Sequence, residues 1–184
     1  MAGTFVTSNP DKVVEVRRVF REFDIRVRWS RQALPEPQSD RLQDVVEAKL
    51  ATAALPGRAV VVEDSGLFLD DVGGFPGVYS RYVYDTVGLD GILKLLRGKP
   101  RRATFRTVAG FRRGRATLIA VGTVQGTIAP RRKGHNGFGY DPIFIPRGSP
   151  RTFAEMEGPE KDRYSHRGRA IRALARKIGS FEKE

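Results

Sequence analysis

The sequence predicts an α/β fold built on a mixed sheet, and three observations carry that expectation. Segments with strand and helix periodicity alternate through the N-terminal part, which implies parallel strands joined by right-handed crossovers. Two long strand-like segments flank Arg112-Arg113-Gly114-Arg115, a turn that makes their pairing antiparallel. Val60-Val61-Val62 is an unbroken β-branched run, the character of a strand covered on both faces.

In chain order, Thr4 to Thr7 reads as a short strand. Asn9 can cap the helix that follows, and Pro10 costs nothing at its first position, where no intrahelical N–H is needed. Val13, Val16, Phe20 and Phe23 recur at helical spacing and form its apolar face. Ile25, Val27 and Trp29 then alternate with Arg26 and Arg28 as a half-exposed strand. After the stiff Leu34-Pro35-Glu36-Pro37 loop, a second helix starts near Asp40 and carries Leu42, Val45, Val46, Leu50 and Ala53 inward, until Pro56-Gly57 stops it. The third strand is expected to end at Glu63, with a shorter segment from Leu67 to Leu69. Gly73 to Gly77 reads as a turn-rich loop, and Leu89 to Leu96 as a short helix. The hairpin strands span Ala103 to Phe111 and Ala116 to Ile128. A glycine-rich loop from Pro130 to Asp141 leads into Pro142 to Ile145, and a final helix begins after Ser165-His166-Arg167, with Ala170, Ile171, Leu174 and Ile178 inward.

At 184 residues the chain reads as a single domain over 1–184, long enough for a sizeable core. Cysteine is absent, which excludes disulfides, thiolate metal sites and cysteine catalysis, and two histidines do not suit a structural zinc site. The N-terminus lacks a secretory signal and no apolar run is long enough for a bilayer span, so a cytoplasmic protein without a membrane partner is expected. The formal charge of +12 fits a nucleic-acid binder, an arginine-rich surface suited to heat, or an enzyme drawing in a polyanion.

Several motifs carry chemistry, each with a plainer alternative. Ser8-Asn9-Pro10-Asp11-Lys12 gathers free N–H groups, a helix dipole and a lysine around one point, suited to phosphate; an ordinary capped helix has the same pattern. Glu63-Asp64-Ser65-Gly66 places acids at the expected strand end, where a divalent cation would relieve their repulsion; a polar turn is the alternative. Gly134 to Asp141 mixes glycines with Phe138 and Tyr140, as a base-stacking loop does, although such aromatics can also be core. Ser165 caps the last helix, and His166 and Arg167 in its first turn oppose the dipole, which hints at a purpose beyond folding. In the Arg101 to Arg115 cluster, alternation puts Phe105 and Phe111 in the core and the arginines in solvent, which argues against a nucleic-acid face.

Taken together, Thr7 to Lys12, Val62 to Leu67, Gly74-Phe75-Pro76-Gly77-Val78-Tyr79-Ser80, Phe138 to Phe144 and Ser165-His166-Arg167 occur in the order of the Ham1-like family, the inosine/xanthosine triphosphate pyrophosphatases. The chain resembles that family from Thr4 to Ile178, most of all its archaeal branch. The resemblance implies a long mixed sheet with flanking helices, its two lobes set around a central substrate cleft. It also implies a homodimer that uses Mg²⁺ to cleave ITP, dITP and XTP into monophosphate and pyrophosphate, with no stable nucleic-acid partner. By the same resemblance Thr7, Ser8, Asn9, Pro10, Asp11 and Lys12 cradle the triphosphate, with Ser8 in place of the family's common glycine. Asp64 is proton acceptor and metal ligand, Glu36 the other ligand, and Glu63 an assistant to the metal. Lys49 approaches the phosphates and Ser65 contacts substrate, while Phe138, Gly139, Tyr140 and Asp141 form the base pocket. Lys161, His166 and Arg167 close over the base and read its carbonyl oxygens. The rivals are a nucleic-acid-binding module without turnover and a phosphatase that releases orthophosphate.

Overall fold

The computed structural model describes residues 2–53, 55 and 57–183. β1 (Ala2–Val6), α1 (Pro10–Arg21) and β2 (Arg26–Ser30) form the opening unit, with β1 and β2 parallel from Ala2↔Arg26 to Val6↔Ser30. α1 starts as expected: the Asn9 Oδ1 accepts from the Asp11 N–H at 2.9 Å and Pro10 follows the cap. α2 (Leu42–Thr52) comes next, and its expected stop at Pro56 lies outside the described residues.

β3 (Val60–Leu69) departs from expectation, because it does not end at Glu63. β5 (Arg102–Arg113) pairs antiparallel with it along its whole length, from Val60↔Arg112 to Leu69↔Ala103. That ladder continues through Ser65 and Gly66 and overrides their turn preference. Glu63 and Asp64 therefore sit mid-strand. Successive strand residues face opposite sides, so Val61 joins the apolar cluster under α1 and α6 (His166–Phe181), whereas Val60 and Val62 pack with Leu42, Val46 and Leu50 of α2.

β6 (Ala116–Ile128) completes the expected hairpin with β5, and β7 (Phe144–Pro146) pairs with its far end. The sheet has seven strands in the order β2-β1-β3-β5-β6-β7, and β4 (Pro76–Gly77) pairs with β3 off that path. The long strands β3, β5 and β6 run between two lobes. One is the parallel end packed by α1, α2 and α6; the other gathers Leu67, Leu69, Phe105, Val124 and Phe144. Where one helix is expected over 89–96, α3 (Ser80–Thr86) and α4 (Gly88–Leu95) stand in succession and contribute Val83, Leu89 and Ile92 to the second lobe. α5 (Gly158–Tyr164) is an unanticipated short helix, hidden in the sequence behind Gly158-Pro159.

Gly122 decides how α6 lies on the sheet. A Cβ there would stand 2.1 Å from the His166 carbonyl oxygen and 2.3 Å from the Ala170 nitrogen, so only glycine lets the start of α6 settle on β6. Among the described residues, no helix is long and apolar enough to cross a membrane.

Candidate active site

β1 pairs with β3 only at Thr4↔Val60 and Phe5↔Val61, and β4 takes the same edge again at Leu67 and Phe68. Between them that edge of β3 has no strand partner among the described residues. A cleft of about 1040 Å³ opens there, between the lobes, and is lined by the 7–12 turn, Glu36, Lys49, Glu63 to Ser65, the 137–141 loop, His166 and Arg167. Each expected site residue lines it except Lys161.

The two neighbouring acids do not converge. Asp64 faces α2, where its Oδ1 accepts from the Lys49 ammonium at 2.6 Å, and the same ammonium lies 2.6 Å from Glu36 Oε1. Glu63 faces α1 and α6. Its Oε1 lies 2.5 Å from Lys12 Nζ, and its Oε2 accepts from Ser65 at 2.7 Å and Arg167 Nε at 3.2 Å. The Lys12 ammonium thus satisfies Glu63 Oε1 as a close ion pair, since Coulomb attraction does not require alignment.

These surroundings push the acids apart in acidity. Burial raises the Glu63 pKa, but Arg167 and Lys12 outweigh it and hold that carboxyl well below its ordinary range. Burial raises Asp64, and Lys49 and Lys12 offset this only in part. Burial lowers Lys49, but Asp64 and Glu36 outweigh it and keep the ammonium charged. The two neighbouring carboxyls are thus shifted in opposite directions, Glu63 below its ordinary range and Asp64 above it.

At the other end of the cleft, Arg167 is buried with Nη1 donating to Glu15 at 2.7 Å, Nη2 to Ser65 at 3.2 Å and Nε to Glu63. A guanidinium carries five N–H groups, so these three bonds leave one on each Nη without a partner among the described residues. The Phe138 ring lies 5.3 Å from its Cζ. His166 stacks on Phe105 at 4.2 Å and 4°, and its Nδ1 has no hydrogen-bond partner among the described residues. Burial, with Arg167 and Lys161 nearby, drives the imidazole pKa well below its ordinary value, so it is neutral. The conflict between a basic first turn and the α6 dipole is thus resolved: one member is uncharged, the other paired with carboxylates.

A family model described as the Ham1 family matches residues 4–177. The chain belongs to the Ham1 family. The dITP/XTP pyrophosphatase of Thermococcus kodakarensis is 49% identical over 178 residues, covering 95% of this chain and 96% of that protein. The dITP/XTP pyrophosphatase of Pyrococcus horikoshii is 47% identical over 174 residues, covering 92% of each. The structure of a HAM1 protein from Coxiella burnetii matches with a TM-score of 0.81 at 28% identity, covering 97% of this chain and 99% of that one.

Three of the expected site residues have interior partners that the sequence did not show. Glu63 turns away from Asp64 and Glu36 because the strand continues, and its partners are Lys12, Ser65 and Arg167. No group of three or more metal-binding side chains occurs among the described residues. Lys161 does not line the cleft; it is buried behind Phe138, with Nζ 4.9 Å from the ring centroid, bonded to Glu15 at 2.6 Å and to Asp141. Ser65 does line the cleft, but its hydroxyl is engaged by Glu63, Arg167 and Thr107. Asp141 is buried and accepts from the Phe138 N–H at 2.7 Å, which fixes the 137–141 loop, and Tyr140 donates to the Ser80 carbonyl at 2.8 Å.

Sequence reasoning missed Glu15 and Thr107. Both have a signal: Glu15 is an acid inside the buried Val13, Val16, Val19 stripe of the Ham1 α1, and Thr107 a hydroxyl on the inward alternation of Phe105, Ala109 and Phe111.

Proposed function

We propose that this Ham1 protein hydrolyses dITP, XTP and ITP to the monophosphate and pyrophosphate, and so removes deaminated purines from the nucleotide pool. The single observation that carries the reading is the polarity of the cleft. One end gathers a helix start, Lys12, Lys49, Asp64 and Glu36; the other is lined by Phe138, Tyr140, the neutral His166 and the Arg167 guanidinium. A nucleoside triphosphate has that same division, anionic at one end and flat at the other. The names of the Thermococcus and Pyrococcus relatives agree with it.

The residues present fit Mg²⁺. Asp64 and Glu36 are hard oxygen donors already gathered around one cation, the Lys49 ammonium, and magnesium takes few protein carboxylates together with phosphate oxygens. When bound, the ion would neutralise charge on the phosphate oxygens. Asp64 accepts the proton of the attacking water as its oxygen bonds to phosphorus and the bridging P–O bond breaks toward pyrophosphate. Lys12 and Lys49 hold the polyphosphate, and Phe138 covers the base. The free Arg167 N–H groups, with His166, meet the purine carbonyl oxygen. An adenine amino group offers no acceptor there, at a cost of about 1–3 kcal/mol for each donor left unpaired. The proposal includes a cytoplasmic homodimer, as the family resemblance implies.

Phosphorus NMR of ITP turned over with Mg²⁺ tests the reading: pyrophosphate is expected, and orthophosphate as first product would overturn it. Asp64→Asn is expected to lose at least about a hundredfold in kcat with the thermal transition retained. Near-normal turnover would remove Asp64 from the chemistry.

A further inference from the structure

Thr107 lies directly opposite Ser65 in the β3–β5 register and is wholly buried, on the sheet face that looks toward α1 and α6. The Ser65 hydroxyl stands between Glu63 Oε2 at 2.7 Å, Thr107 Oγ1 at 2.7 Å and Arg167 Nη2 at 3.2 Å. A hydroxyl has one proton and two acceptor positions. An ionised carboxylate only accepts, and a guanidinium only donates. Ser65 therefore spends its proton on Glu63 and takes one from Arg167. Its remaining acceptor position is left for Thr107, which fixes the direction of that bond: Thr107 donates.

We propose that Thr107 is a positioning residue for base selection, whose donated hydrogen bond locks the Ser65 hydroxyl between Glu63 and Arg167 and so fixes which Arg167 N–H groups remain free for the purine. The inference rests on the functional reading above. With the Thr107 proton in place, Ser65 has no unused capacity, and its only self-consistent orientation is the one that accepts from Arg167. Without that proton, Ser65 can rotate at the half-buried wall of the cleft and its hold on the guanidinium loosens. Recognition of a base oxygen depends on that alignment; turnover of a nucleotide without the oxygen does not.

The test compares Thr107→Val, which keeps the shape and removes the hydroxyl, with Thr107→Ser, which keeps the hydroxyl. The readout is the ratio of kcat/KM for ITP to that for ATP, with the melting temperature measured alongside. Thr107→Val is expected to lower the ratio roughly tenfold, mainly through ITP, and Thr107→Ser to hold it within about threefold of wild type. Should the valine variant fail to fold, Thr107→Ala removes the same hydroxyl without added bulk and is read in the same way. An unchanged ratio in the hydroxyl-free variant, equal losses for both nucleotides, or a serine variant as impaired as valine would overturn the inference. Wild-type product identity separately tests the functional reading; orthophosphate would defeat that reading, while the comparison among variants still decides the role of Thr107.

Discussion

Glu15, Glu63 and Asp141 are carboxylates buried beside Lys161, Arg167 and Lys12, an even match of negative and positive groups that links α1, β3, the 137–141 loop, α5 and α6. Glu15 is central because it joins both interior cations, at 2.6 Å to Lys161 and 2.7 Å to Arg167. Burial raises its pKa, but Arg167 and then Lys161 outweigh this and leave it below its ordinary value of about 4.5. A depressed carboxyl adds stability that is fully present above the unfolded value and lost as pH falls through the folded one. Glu15→Gln is therefore expected to destabilise the protein by about 3 kcal/mol at neutral pH, near the lower end for removing one member of a buried pair. The gap in melting temperature from wild type should shrink as pH falls below about 4.5, which calorimetry over a pH series checks; a gap constant with pH would show that the charge on Glu15 contributes nothing. At this scale the sequence made chemistry legible but not direction. Glu63 and Asp64 are legible as a pair of acids that both line the cleft, yet their opposite facing depends on the strand continuing, and the partners that supply that continuity lie some forty positions downstream, as in Ser65↔Thr107.

The β1-α1-β2 unit, α2 and the β5-β6 hairpin followed from local periodicity, because each buries a face whose pattern lies within one segment. The end of β3, the α3–α4 pair and α5 did not, because tertiary pairing and packing decide them. α6 brings His166 and Arg167 to the cleft, since they open the helix and Ser165 caps it by accepting from the Gly168 N–H at 2.9 Å. Its seat is the bare backbone of Gly122, where a Cβ would meet backbone atoms that cannot swing aside. Gly122→Ala is expected to cost about 1–3 kcal/mol, the usual penalty of overpacking, and to raise KM for ITP by lifting His166 and Arg167 together. Denaturant unfolding and steady-state kinetics check the two effects. A stable variant with unchanged KM would mean that α6 is held by contacts elsewhere.

For the whole molecule the formal charge is +12, while the interior acids of the cleft are already matched by lysine and arginine. Several of the basic residues are likewise tied on the surface, as Arg172 is to Glu22 and Arg132 to Asp90. The unbalanced remainder is expected to act as a field that draws in a polyanion. Such a field raises the encounter rate of a polyanion and leaves the later chemistry unchanged. Screening shortens its reach from about 30 Å at 0.01 M salt to about 8 Å at 0.15 M. With proposed triphosphate substrates, kcat/KM is thus expected to fall several-fold across that range while kcat stays constant, as steady-state rates in potassium chloride at fixed free Mg²⁺ would measure. If kcat fell in parallel, salt would be acting on the chemical site, for instance on the Lys49 bridge between Asp64 and Glu36. If neither constant moved, the excess charge would have no part in capture, leaving solubility or heat tolerance as its physical use.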